Sequence, residues 1–107
     1  MSEHCVILIT VGSKVEGDKM SRELVESKLA FCVSTIPKIQ STYYWEDKIH
    51  VDEEFLLIIK TRKDQYEALE TWVKTNHSYE VPEIIALPIE QGLSSYLNGF
   101  DDWVAKD

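Results

Sequence analysis

A chain of 107 residues with 44% hydrophobic side chains has the size of one domain with one core, so residues 1–107 are read as a single domain. Acidic residues outnumber basic ones 19 to 11, giving a net charge of −8, and no basic stripe exists to displace the counterions of a nucleic acid. No apolar run approaches the roughly 18 residues of a membrane helix, so neither nucleic acid nor membrane is an expected partner.

The N-terminal Met-Ser-Glu-His-Cys is acidic where a secretory leader would be basic, which points to the cytoplasm. Cys5-Val-Ile-Leu-Ile9 then predicts a strand. Its unbroken apolar character predicts cover on both faces and a central place in a sheet. Ser13 and Glu16 match a capping box that opens a helix, with Met20, Leu24, Val25 and Leu29 on its apolar side. Gly17 weakens that helix by about 1 kcal/mol relative to Ala, and a single glycine does not make a phosphate loop.

A long β region follows, from about Cys32 to Lys60. Ile39, Ser41, Tyr43 and Trp45 share one face, while Lys38, Gln40, Thr42 and Tyr44 share the other. Pro37 marks a bulge or an edge, because proline cannot donate to a ladder. Glu46-Asp47 is the expected hairpin tip. Thr61-x-x-Asp64 is expected to open a second helix with Tyr66, Leu69 and Val73 buried and Trp72 beside them. Val81-Pro82 blocks helix ahead of a short strand from Ile84 to Ile89. Leu93, Tyr96, Leu97, Phe100, Trp103 and Val104 define a last amphipathic helix. The order β-α-β-β-α-β is that of an α+β ferredoxin-like sandwich, here with an extended hairpin arm and an extra C-terminal helix.

Strands ordinarily run about five to six residues, and these arms run about twice that. Tyr43, Tyr44 and Trp45 crowd the outer part, beyond the reach of two short helices. Such a patch predicts self-association, with the arm adding its edge to a neighbouring subunit.

Catalytic signatures are missing from the sequence. The serines lack a G-x-S-x-G setting, Cys5 and Cys32 lie in strands as free thiols without C-x-x-C spacing, and Asp101-Asp102 reads as a solvated tail pair. The chain is therefore not expected to be an enzyme. His4 and His50 read as surface residues. His77 is the best candidate metal ligand, since neutral imidazole suits copper and zinc. Tyr79, Glu80 and Glu83 are close in sequence, and Cys32 is placed to approach from a neighbouring strand. A purely structural His77, ending its helix favourably for the dipole, is the alternative.

The stretch His77 to Pro88, with Tyr43-Tyr44-Trp45 and Lys60-Thr61 upstream, resembles the CutA family of divalent cation tolerance proteins, over about Val6 to Phe100. The resemblance implies a homotrimer with a role in divalent-cation tolerance or response; the contact with Cu²⁺ or another divalent cation is then expected to be weak and to run through the set read above from the residues, His77, Glu80, Glu83 and Cys32. Some bacterial relatives carry a strand cysteine and two adjacent histidines proposed to hold copper. Those positions correspond here to Ile9 and to Asn76-His77, so only His77 is retained. Ser78 replaces the proline usual after the histidine. The alternative is a signalling module like the PII proteins, with Trp45, Lys60, His77, Tyr79, Glu80 and Glu83 meeting at a subunit cleft around a small polar ligand.

Overall fold

Side-chain alternation governs how the first strand is used. In β1 (His4–Val11), Cys5, Ile7, Ile9 and Val11 are buried, while Val6 and Leu8 between them are half-buried. The computed structural model describes residues 3–106. After β1 come α1 (Lys14–Glu26), β2 (Cys32–Trp45), β3 (Lys48–Arg62), a 3-10 turn (Lys63–Gln65), α2 (Tyr66–Asn76), β4 (Ile84–Pro88) and α3 (Ser94–Trp103). The strands form one antiparallel sheet in the order β2-β3-β1-β4. This is the expected α+β architecture, with β1 and β3 central and two free outer edges, one on β2 and one on β4.

Met20 and Leu24 of α1 and Leu69 and Val73 of α2 pack against Cys5, Ile7, Ile9, Leu57 and Ile59. Each such fully buried aliphatic side chain stabilises the fold by roughly 1.5–3 kcal/mol. Gly17 allows this approach, because a Cβ there would stand 3.1 Å from Cγ2 of Val11. Burial also pushes the Cys5 thiol pKa up.

The helices α1 and α2 cover one face of the sheet only, which corrects the expectation of a β1 covered on both sides. Register places Val6, Leu8, Leu56, Ile58, Ile85 and Leu87 together on the other face. There Ile85 is 49% exposed and Leu87 51%.

One end of this open face is closed by α3. Phe100 stacks on Phe31 at 5.1 Å and meets His4 edge-on at 5.2 Å. His4 donates to Asp101 at 2.9 Å, and Arg62 pairs with the same carboxylate. Neither His4 nor Asp101 is thus the free surface group expected of it, because both lie where α3 lands on the sheet. Gly99 sets the approach: a Cβ there would fall 2.7 Å from Cζ of Phe31.

Two local expectations change. Ser13 caps α1 by accepting from the Glu16 N–H at 3.2 Å, but the Glu16 carboxylate leaves the capping box and binds Ser78. Thr61 does not open α2: it is a fully buried β3 residue whose hydroxyl donates to the Leu29 carbonyl at 2.7 Å. The helix α2 begins instead through the 3-10 turn, with no side-chain cap.

The arm forms as its residues dictate. Pro37 lies at a register shift between Ile36 and Ile39, where Lys38 has φ 55°. Glu46 and Asp47 make the tip with φ 48° and 67°, the double positive φ of a type I′ turn. Beyond the helices Tyr44, Ile49 and Val51 stand exposed.

Candidate functional site

The segment after α2 is held by a network rather than by regular structure. The His77 N–H ends the helix by donating to the Val73 carbonyl at 2.8 Å, and the backbone then turns extended. The His77 side chain is 0% exposed. Its Nε2 faces the Thr10 carbonyl at 2.8 Å and its Nδ1 faces the Tyr79 N–H at 3.0 Å. A carbonyl demands a donor and an N–H demands a lone pair, so the proton sits on Nε2 and Nδ1 accepts. Neither nitrogen keeps a lone pair for a metal. His77 ties the segment to β1.

Glu16 holds the same segment from the other side, accepting the Ser78 N–H and hydroxyl at 2.8 Å each. Ser78 is thus a ligand of α1, and a proline there would lack the N–H. Asn76, at the position of a histidine in some relatives, donates its amide to the Trp72 carbonyl at 2.8 Å.

This anchoring delivers Tyr79 to β3, where its hydroxyl donates to Oε2 of Glu54 at 2.8 Å. Burial, then the bond to Glu54, pushes the Tyr79 phenol well above its ordinary pKa. Glu54 is only 7% exposed. Around this pair lies a cavity of about 570 Å³ whose walls include Tyr43, Trp45, Glu80 and Glu83. The Glu83 carboxyl is raised by partial burial and next by the negative charge of Glu54.

The cavity therefore gathers Tyr43, Trp45, Tyr79, Glu80 and Glu83. Tyr44 is on the opposite face of the arm, with its hydroxyl on Asp47 at 3.1 Å. Cys32 and Lys60 form a separate group: the ammonium of Lys60 lies 3.7 Å from the thiol sulfur and 2.6 Å from Oγ of Ser34. They sit beside Val6, whereas His77 binds Thr10, four residues along β1 and about 13 Å away at roughly 3.3 Å per residue. The set His77, Glu80, Glu83 and Cys32 is not brought together. Among the described residues no three of His, Cys, Asp or Glu stand close enough to hold a metal ion.

Sequence reading gave Glu54 no part in the site and Glu16 only the capping box of α1. Period-two counting from Leu56 already puts Glu54 on the open face. Nothing local marks Glu16 as the partner of a residue 62 positions away.

The sequence profile described as CutA1 divalent ion tolerance protein matches residues 5–106. The chain is 48% identical over 92 residues to "Protein CutA 1, chloroplastic" of Oryza sativa subsp. japonica, covering 86% of this chain and 52% of that protein. It spans about half the length of the rice and Arabidopsis thaliana relatives it matches. Over 101 residues it is 42% identical to "Divalent-cation tolerance protein CutA" of Archaeoglobus fulgidus, covering 94% of this chain and 98% of that one. The crystal structure of CutA1 from Oryza sativa superimposes with a TM-score of 0.96 at 42% identity, over 99% of this chain and 97% of that one.

Proposed function

Because the chain belongs to the CutA1 divalent ion tolerance family, we propose that it acts as a homotrimeric divalent-cation tolerance protein. The observation that carries the assembly is the open sheet face opposite α1 and α2, where register gathers Leu8, Leu56, Ile58, Ile85 and Leu87 and where Ile85 and Leu87 are about half exposed. Its two free edges differ, one being β2 and the other β4. Pairing the β2 edge of one copy with the β4 edge of the next is a heterologous contact, and such contacts form a ring when the rotation between copies closes. Three copies make a small ring with the apolar faces turned inward.

The role is one of binding rather than catalysis, and its metal contact is weak. Supporting this, both His77 nitrogens are committed to backbone groups. A net charge of −8 concentrates divalent cations near the surface without a closed donor set. We assign the protein to the cytoplasm on the free thiols of Cys5 and Cys32, which suit a reducing compartment.

Calorimetric titration of the protein with Cu²⁺ and with Zn²⁺, beside His77→Gln, tests the metal reading. Gln keeps a donor and an acceptor for the two backbone bonds. Weak, unsaturated heat that is the same in both proteins is expected. Saturable binding at one ion per chain or per trimer, lost in the variant, would contradict it.

A further inference from the structure

Resting on the ring described above, we propose that the cavity between β4 and the start of α2 is a socket for the arm of a neighbouring copy, with Tyr44 as the side chain that enters it.

The arm carries a second apolar surface, which the inward faces of the ring leave bare. Along β3, Phe55, Leu57, Ile59 and Thr61 are buried on the side that α1 and α2 cover. Alternation carries that same side outward to Val51 and Ile49, and register sets Tyr44 opposite Ile49. Tyr44 and Ile49 are each 65% exposed, and Val51 is exposed beside them. Adjoining apolar side chains left in water on one side of a ribbon mark a contact surface.

The cavity lies on the matching side of the opposite sheet edge. Ala86 and Pro88 of β4 pair with Ile7 and Cys5 of β1, which are buried on the helix-covered side. Cys5, Ala86 and Pro88 form one wall of a space of about 800 Å³, and Lys63, Tyr66 and Glu67 form the other.

Strand addition brings the two surfaces together. A strand laid along a sheet edge keeps the two sides of the sheet continuous. When every copy turns its open face inward, the helix-covered side of one sheet runs on into the helix-covered side of the next. The β2 edge on a neighbour's β4 edge therefore presents Tyr44 to the cavity, with Ile49 following on the adjacent strand, whereas Tyr43 and Trp45 stay on the inward side. Charge agrees with this occupant. The Tyr44 hydroxyl binds Asp47 at 3.1 Å, so that carboxylate travels with the ring of Tyr44. Lys63 on the rim of the socket makes no ion pair with any described residue and is placed to meet it.

Photocrosslinking from p-benzoylphenylalanine in place of Tyr44 tests the contact, in trimers mixed from ordinary and isotope-labelled chains. Crosslinks are expected between copies, to residues 63–67 or 86–88. Subunit exchange, read by native mass spectrometry, should quicken about tenfold or more in Tyr44→Ser and in Ala86→Phe, which fills the socket from within. The double variant should exchange little faster than either single one, because both changes break one contact. Circular dichroism confirms that each variant is folded. Crosslinks confined to one chain or directed to other segments would overturn the socket, as would exchange unchanged in both single variants. A trimeric parent with either result loses the socket and keeps the ring, whereas a monomeric parent loses both, so the two failures are told apart.

Discussion

Glu16 in the first turn of α1 grips Ser78 through both the backbone N–H and the hydroxyl, at 2.8 Å each. Together with His77 on Thr10, this contact replaces regular structure in fixing the segment that carries Tyr79. Glu16→Ala should therefore cost about 1.5–3 kcal/mol, the range for hydrogen bonds to a charged group. Hydrogen exchange should quicken in residues 77–83 with β1 and β3 unaffected. A change in urea stability within about 0.5 kcal/mol would mean the grip is not structural.

Tyr79→Phe removes the donor on which the buried Glu54 depends. A loss of about 1–3 kcal/mol is expected. In a double-mutant cycle with Glu54→Leu, most of this loss should vanish, because the carboxylate left unpaired is then gone. Additive single effects would show that the two side chains do not act as a pair.

Gly99 is required by contact and not by backbone conformation, since its φ is not positive. Gly99→Ala drives a methyl to 2.7 Å from Phe31 Cζ and should destabilise by about 1–3 kcal/mol despite alanine's better helix propensity. Adding Phe31→Leu should restore part of the loss. Thermal melts of the three variants decide; a stabilised Gly99→Ala would contradict the close approach.

Asp101 gives a pH dependence of known sign. Its carboxyl is held below the ordinary 3.8, first by the hydrogen bond from His4 and further by His4 and Arg62 charge. Its contribution to stability is thus complete above the unfolded value and is lost as pH falls through the folded one. Asp101→Asn should flatten that part of the acid limb in denaturant titrations below about pH 4. An unchanged acid limb would place the dependence elsewhere.

Period and turn chemistry made much of this legible before the structure. Glu46-Asp47 formed the tip, and Pro37 lay at both a bulge and an edge. The order of strands and helices followed from where period 2 gave way to period 3.6. What escaped were long-range partners. An unbroken apolar run cannot say whether its second face meets a helix or another copy, so β1 read as doubly covered. The S-x-x-E pattern fixed the Ser13 cap but could not show that Glu16 turns to Ser78. His77 stood out for its chemistry, yet its burial and its two backbone bonds come from the tertiary placement of Thr10 and Tyr79. Cys32 and Lys60 were separated from it by the register of β2 on β3.

The proposed assembly rests on the open sheet face, and a solution mass by sedimentation equilibrium tests it most directly. At micromolar concentration the protein should weigh three times one chain. Leu87→Asp, which puts a charge on the half-exposed face without touching the helix-covered core, should weigh one chain and keep its circular dichroism. A parent protein that stays monomeric, or a Leu87→Asp variant that stays trimeric, would contradict the account.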